Sequence, residues 1–281
     1  LLPSHASMVQ GELGAKNIEI VSVAGSCCSS IQALKYAYMS VGAGLTEVAA
    51  SCGSERMSTW LMASRFQSEA DSWQEIDKNP YIAFEKDFLR WMLSDGAGAA
   101  LMQGTPNADS ISLKIEWLEI SSYANELETC MYSGAVKNPD ASLTGWNDME
   151  VARWANESVF SLKQDTKLLA ENIIKKGGEF LSKLMKTNGL TADQVDYFLP
   201  HMSSEFFKKE MYATMASIGL EMPYEKWFYN LPAVGNVGSA SAYIMMEELL
   251  NSGRLKKGEK ILVMIPESAR FTYAYLYLTV V

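Results

Sequence analysis

The sequence predicts an α/β fold built from two related halves. Segments with the apolar pattern of buried strands alternate with segments of helical period along most of the chain. The order strand, polar loop, helix that occupies residues 17–42 recurs after residue 190. The chain has 281 residues, of which 48% are hydrophobic, so we expect a sizeable core. Residues 1–109 and residues 110–281 are the expected halves.

The first half is expected to contain two strands, a helix and a hairpin. Its first three elements are a buried strand at residues 17–24, a helix at residues 28–42 and a strand at residues 46–52. Residues 88–103 predict a strand, a glycine turn after Asp95 and a second strand. A phosphate-binding loop is the weaker alternative there, because Leu101 occupies the third glycine position of the GxGxxG pattern.

The second half combines helices and strands with one long polar segment. Residues 122–160, which we call the insertion segment, are rich in Asn, Asp, Ser and Gly, with aromatic interruptions. A long loop in a compact domain is usually a lid or a binding loop, and the alternative is a disordered insertion. Thr191 and Gln194 have the spacing of a helix capping box. The other expected elements are strands at 110–121, 197–200, 260–266 and 271–280, and helices at 162–186, at 204–218 and up to about residue 250.

Composition argues against several classes of function. The net charge of −9 argues against nucleic acid as the main partner, because phosphate contacts need a basic surface. No run of about 18 uninterrupted apolar residues occurs, so neither a transmembrane helix nor a membrane partner is expected. The four cysteines include no CxxC pair, and His5 and His201 lie far apart, so no metal site is expected. Few cysteines and no signal-peptide pattern predict the reducing cytoplasm.

Cys27 and Cys28 are candidate nucleophiles. They lie in a corner of small residues between the expected strand and the expected helix of residues 17–42. The unpaired N–H groups and the dipole at the start of a helix favour a thiolate, and a thiolate attacks carbonyl carbons. The alternative is that either cysteine is a small buried hydrophobic residue without a chemical role.

Two further polar residues lie in loops between an expected strand and an expected helix. His201 follows the strand at 197–200, and Asn236 lies between two glycines in AVGNVGSAS. Loops at the carboxyl ends of strands converge on one crevice in α/β folds, so these side chains are expected to meet the Cys27 corner. The alternatives are a structural histidine and a turn in which Asn adopts left-handed geometry.

The motifs SCC, SDGAGAALM, PHMSS and GNVGSAS, in this order, resemble the β-ketoacyl-acyl-carrier-protein synthase III group of the thiolase superfamily. PSHASMVQGELGAKN resembles the stretch before that family's nucleophile, and the segment from NSGRLKKGEK to the last residue resembles its carboxyl-terminal end. The resemblance implies a layered α-β-α-β-α sandwich in which the first half is incomplete. It also suggests that the chain lacks the family's amino-terminal portion.

The resemblance implies that Cys27 is the nucleophile and that His201 and Asn236 bind and activate the second substrate. Three features depart from the family pattern, namely Cys28 after the nucleophile, Met-Ser-Ser after His201, and Glu267 to Arg270 in place of a glycine-rich loop. These departures favour a specialised ketosynthase of secondary metabolism over the enzyme that initiates fatty-acid synthesis. The substrate-binding residues that the resemblance implies are Met202, Gly235, Gly238, Ser268 and Arg270.

The implied reaction is transfer of an acyl group to Cys27, followed by decarboxylative Claisen condensation with an extender on an acyl-carrier protein. The implied partners are acyl-carrier protein, coenzyme A thioesters and a second copy of the chain, and no cofactor is required. A non-catalytic subunit that binds acyl chains and an acyltransferase without condensation are the alternatives. Carrier proteins are acidic, so basic clusters are candidate docking sites. The alternative for each cluster is an ordinary charged surface exposed to solvent. These clusters consist of Lys208 and Lys209, and of Arg254, Lys256, Lys257 and Lys260.

Overall fold

The computed structural model describes residues 2–62, 89 and 92–281. The helices are α1 (His5–Leu13), α2 (Ser29–Gly42), α3 (Val151–Asn156), α4 (Thr166–Asn188), α5 (Lys208–Ser217), α6 (Leu231–Val234) and α7 (Ser241–Asn251). The strands are β1 (Val48–Glu55), β2 (Gly96–Gln103), β3 (Leu113–Ser122), β4 (Met131–Tyr132), β5 (Ala135–Lys137), β6 (Leu143–Gly145), β7 (Lys163–Gln164), β8 (Tyr197–Pro200), β9 (Lys260–Glu267) and β10 (Thr272–Val280). None of the helices in these ranges combines the length and apolar character needed to span a membrane.

A four-stranded sheet in the order β3-β10-β9-β8 forms the centre of the fold. Strand β10 runs antiparallel to β3 and β9, whereas β8 runs parallel to β9. Successive side chains of β10 point to opposite faces, and both faces are covered. Tyr273 and Tyr275 pack with α4 and α5, whereas Ala274 and Leu276 pack with α2 and α7. The helix that follows the Cys27 corner therefore lies against the carboxyl-terminal sheet.

The predicted hairpin around Asp95 is wrong in the residues that the structure describes. Gly96 and Gly98 lie inside β2, which pairs antiparallel with β1, and Met92 is helical. A Cβ atom at Gly98 would lie 2.6 Å from Cβ of Tyr243, so glycine allows α7 to approach the strand. The glycines serve packing between elements, which a turn signal read along the chain does not reveal. Residues 88, 90 and 91 of the prediction lie outside the described residues.

The predicted buried strand at residues 17–24 is also wrong. These residues form no strand, and Ile18, Ile20 and Val21 are 50%, 39% and 41% exposed. An apolar β-branched run becomes a strand only where a neighbour completes its ladder of hydrogen bonds. Among the described strands none pairs with this run, since β1 pairs with β2.

Most other elements are confirmed to within a few residues. They include α2, β1, β3, β8, β9, β10, the capping box of Thr191 and Gln194, and the helices α5 and α7. The helix expected at 162–186 begins later, because Asp165 caps α4 by accepting from the Leu168 N–H. The insertion segment contains β4, β5, β6 and α3, which contradicts the alternative of a disordered insertion.

Candidate active site

One cavity of about 380 Å³ brings together Cys27, His201 and Asn236. It lies where α2 begins, where β1 and β8 end, and beside the loop before α7. Its wall is mainly apolar, and the insertion segment contributes Met131 and Ser133. The larger apolar side chains of the wall include Trp60, Met92, Leu93, Leu162, Leu169 and Ile173.

The two adjacent cysteines face different environments. Cys27 is partly exposed and lines the cavity. Cys28 is fully buried, and its Sγ donates to the carbonyl oxygens of Ile265 at 3.2 Å and Thr272 at 3.5 Å. Cys28 therefore faces the strands β9 and β10, and Cys27 is the cysteine of this pair that a substrate in the cavity would meet.

The expectation that the start of α2 makes Cys27 a thiolate is wrong. Burial and, after it, the negative charges of Glu267 and Glu55 raise the pKa of the Cys27 thiol well above its ordinary value. The backbone N–H of Cys27 itself and the Ser26 side chain lower this pKa, but they are the weaker influences. The start of a helix contributes only about 0.3–1 kcal/mol, which burial beside two carboxylates exceeds. At neutral pH Cys27 is a thiol.

His201 lies immediately after β8, and its backbone N–H donates to the Met264 carbonyl oxygen at 2.8 Å. The side chain is buried and lines the cavity. Burial lowers its pKa from 6.5 to about 4. The imidazole is therefore neutral at pH 7 and has one nitrogen that donates and one that accepts.

Asn236 is held by hydrogen bonds on three sides. Its N–H donates to the Met92 carbonyl oxygen at 2.7 Å, and its carbonyl oxygen accepts from the Ser94 N–H at 2.9 Å. Its Oδ1 accepts from the Gly238 N–H at 2.9 Å, which leaves the amide NH₂ group as the donor toward the cavity. Gly238 has a φ of +51°, and a Cβ atom there would lie 2.6 Å from the Glu55 Oε1. A side chain at that position would displace this loop.

The structure places the residues with implied roles in substrate binding in two groups. Gly238 and Ser268 line the cavity. Met202 is 3% exposed and packs in the core, whereas the next residue, Ser203, lines the cavity.

Gly235 and Arg270 lie outside the described cavity wall. Gly235 has a φ of +74° and lies against Ser94. The Arg270 side chain is exposed, and its Nε donates to the Leu127 carbonyl oxygen at 3.4 Å.

Glu55 and Arg56 line the cavity although no sequence motif singled them out. They lie at the carboxyl end of β1, and the Glu55 Oε1 accepts from the Ser239 N–H at 2.9 Å. Their position at the carboxyl end of a strand is the signal in the sequence that indicates them.

The basic clusters differ in how freely their charges face solvent. Lys208 donates to the Tyr229 hydroxyl at 2.6 Å and lies 4.8 Å from the centre of the Tyr224 ring. Arg254 is exposed and lies 5.9 Å from the Phe228 ring centre. Lys209, Lys256 and Lys257 are exposed, and Lys260 is half-buried, with its Nζ 3.6 Å from a Glu116 oxygen.

The low pKa of His201 predicts an acid-dependent loss of stability. The pKa of His201 is 6.5 in the unfolded chain and about 4 in the folded chain. The free energy of unfolding therefore has its full value, as far as His201 is concerned, above pH 6.5 and falls as the pH falls toward 4. The full displacement corresponds to about 3 kcal/mol. We expect His201→Asn to lose less stability than the parent between pH 7 and pH 4.5, as measured by urea unfolding.

The other histidine of the chain supplies a matched control for this measurement. His5 is exposed, and its Nε2 lies 2.9 Å from the Ser54 Oγ. His5→Asn is expected to follow the parent at both pH values. If the free energy of unfolding fell equally with pH in His201→Asn and in the parent, the lowered pKa of His201 would be contradicted.

Comparison with known proteins finds relatives that are similar in sequence and in fold. Residues 185–265, which contain His201 and Asn236, match the family model described as 3-oxoacyl-[acyl-carrier-protein] synthase III C terminal. The β-ketoacyl-[acyl-carrier-protein] synthase III of Koribacter versatilis is 24% identical over 263 residues, which cover 94% of this chain and 68% of the relative.

Solved structures show the same fold. OleA of Xanthomonas campestris aligns with a TM-score of 0.73 and 20% identity over 99% of this chain and 72% of that chain. The 3-oxoacyl-[acyl-carrier-protein] synthase III of Aquifex aeolicus aligns with a TM-score of 0.69 and 18% identity over 99% and 72%. Both are similar to this chain in fold, which is the thiolase fold. In sequence and in fold the chain is therefore similar to the thiolase-like condensing enzymes, acyltransferases that include the β-ketoacyl-acyl-carrier-protein synthases III.

Proposed function

We propose that this protein joins two acyl units by transfer of one to Cys27 and decarboxylative Claisen condensation with the other. The observation that carries the proposal is that one cavity is lined by a thiol, a neutral imidazole and an amide whose oxygen already accepts a backbone hydrogen bond. A thiol supplies the covalent carrier, and the other two groups supply hydrogen bonds without a fixed negative charge.

In the first half-reaction, the Cys27 Sγ attacks the carbonyl carbon of an acyl thioester. Because Cys27 is a thiol, a base must accept its proton as the sulfur attacks. The candidate is His201, whose imidazole lines the same cavity and is neutral at pH 7. The backbone N–H of Cys27 is one candidate donor to the oxyanion. The carbon–sulfur bond to the original thiol then breaks, and His201 returns the proton to the departing thiolate.

In the second half-reaction, a malonyl-type thioester occupies the cavity beside the acylated Cys27. The amide NH₂ of Asn236 and the imidazole N–H of His201 donate to its thioester carbonyl oxygen. Carbon dioxide leaves, and the resulting enolate is stabilised by the same two donors. The enolate carbon attacks the acyl carbon and a carbon–carbon bond forms. The bond from that carbon to Cys27 Sγ breaks, and the departing thiolate takes a proton from water.

The apolar wall of the cavity supports a fatty acyl group as the substrate of the first half-reaction. Side chains such as Trp60 and Leu169 can cover a hydrocarbon chain but not a charged one. A solved structure of OleA holds lauric acid and lauroyl-CoA. We propose a fatty acyl thioester as the donor. We propose a specialised pathway as the setting, because Glu267 at the end of β9 and Arg270 in the turn that follows bring charge to this part of the chain.

We also propose an acyl-carrier protein as partner, a homodimer as the assembly and a reducing cytoplasm as the compartment. Exposed Lys209, Lys256 and Lys257 support the docking of an acidic carrier. The outer face of the β1–β2 sheet exposes Val48 and Leu101, which supports a second copy there. The four cysteines are free, as a reducing compartment requires.

A two-stage assay tests the proposal. The protein is incubated with acyl-coenzyme A thioesters from acetyl to tetradecanoyl, and intact-mass spectrometry detects the acyl adduct. A malonyl thioester is then added, and carbon dioxide and the β-ketoacyl product are measured. An adduct followed by product supports condensation. An adduct that transfers only to amines or alcohols indicates a simple acyltransferase, and no adduct with any thioester indicates a non-catalytic subunit.

A further inference from the structure

A carboxylate from the far end of the chain holds the turn that carries the nucleophile. Glu267 is the last residue of β9 and is 8% exposed. Its Oε2 accepts from the Ser26 N–H at 3.2 Å and from the Cys28 N–H at 2.9 Å. These are the residues on either side of Cys27, so one oxygen spans the nucleophile position.

We propose that Glu267 is a positioning residue for the nucleophile. Its carboxylate holds the turn of residues 26–28 by the two flanking amides, and its negative charge lies beside the Cys27 thiol and opposes the loss of its proton. The inference rests on Cys27 as the nucleophile of the proposed function. It adds a role for a residue outside the described cavity wall, although both of its neighbours in sequence, Pro266 and Ser268, line that wall.

The hydrogen bonds support the positioning role. Bonds from backbone N–H groups to a carboxylate are charge-assisted and roughly twice as strong as neutral ones. The acceptor also lies at the start of α2, where an anion is favoured. In the described ranges the Cys27 N–H donates to no other residue, so the two bonds to Glu267 leave it available to an oxyanion.

The charges around Cys27 support the second part of the proposal. The groups that face it are Glu267 from β9, Glu55 and Arg56 from the end of β1, Cys28 from the start of α2 and His201 after β8. Glu267 is the strongest of the charges that oppose ionisation of Cys27, and Glu55 follows. His201 is neutral at pH 7. Removal of the Glu267 charge therefore favours the thiolate.

Glu267→Gln separates charge from position. The amide oxygen of glutamine still accepts from the two N–H groups, but the negative charge is gone. We expect alkylation of Cys27 by iodoacetamide at pH 7 to become faster, by about tenfold for each unit by which the thiol pKa falls, because the thiolate fraction rises in that proportion. The rate is followed from pH 6 to pH 10 by peptide mass mapping, which distinguishes Cys27 from the other cysteines.

Glu267→Ala removes both the charge and the two hydrogen bonds. We expect the same acceleration of alkylation, but at least about tenfold slower acyl-adduct formation than in Glu267→Gln, since the turn is released. Glu171→Gln is the control, because it removes one exposed charge on α4. Circular dichroism and the urea midpoint show whether each variant folds.

Two outcomes overturn the inference. If Glu267→Gln and Glu171→Gln alkylate with the parent's pH profile, Glu267 does not hold Cys27 in the thiol form. If Glu267→Ala acylates as fast as Glu267→Gln, Glu267 does not position the turn. Failure of the proposed function is distinguishable, because the parent would then form no acyl adduct while the alkylation profile of Glu267→Gln still shifts.

Discussion

Cys27→Ala is expected to abolish the acyl adduct completely, whereas Cys28→Ala retains it. Cys27 lines the cavity, while Cys28 is fully buried and donates to carbonyl oxygens of the strands behind it. An alanine at position 27 leaves no thiol within the cavity wall that the structure describes. The measurement is intact mass after incubation with a fatty acyl-coenzyme A thioester, followed by peptide mapping of the modified site.

The neighbouring variant is the matched control for this prediction. Cys28→Ala removes a thiol of the same type one residue away, so general effects of losing a cysteine appear in both variants. An adduct that survives in Cys27→Ala and disappears in Cys28→Ala would show that Cys28, and not Cys27, is the nucleophile. Unchanged adducts in both variants would exclude this corner from the reaction.

Asn236→Ala is expected to slow condensation by about 10²–10³-fold while acylation of Cys27 continues near the parent rate. Removal of one preorganised donor to a developing oxyanion typically costs this much. The proposed mechanism uses the Asn236 amide only after the acyl group has been transferred. Acylation is measured by single-turnover mass spectrometry, and condensation by the yield of the β-ketoacyl product.

Asn236→Asp identifies which atom of the side chain matters. Aspartate keeps an oxygen that accepts from the Gly238 N–H, as the Asn236 Oδ1 does at 2.9 Å, but replaces the donor toward the cavity by an acceptor. We expect the same loss of condensation as in Asn236→Ala. Full condensation activity in Asn236→Asp would show that Asn236 serves the loop structure and not the enolate.

Local patterns along the sequence predicted much of the second half of the fold. The alternation of Tyr273 and Tyr275 with Ala274 and Leu276 predicted β10, and the structure distributes these residues between the two core faces as a strand requires. Cys27, His201 and Asn236 were also recognisable, because the sequence predicted each in a loop that precedes a helix. In the structure only His201 directly follows a strand, β8.

What could not be predicted depends on contacts between distant parts of the chain. Residues 17–24 have strand character but find no pairing strand among the described residues, and no local pattern contains that information. The thiolate expectation failed for the same reason, because the carboxylates of Glu267 and Glu55 approach Cys27 from β9 and β1. The resemblance implied Met202, but Ser203 lines the cavity, because the direction of a side chain just after a strand is not set by the period of the strand.

Each of the two loops that carry Cys27 and Asn236 is held by hydrogen bonds from the other part of the chain, before or after residue 110. Glu267 from the later range holds the amides beside Cys27, while Met92 and Ser94 from the earlier range hold the backbone of Asn236. Neither range positions its own reactive residue without contacts from the other. A chimaera in which either range is replaced by that of a distant relative would therefore keep the site only if both sets of hydrogen bonds still form.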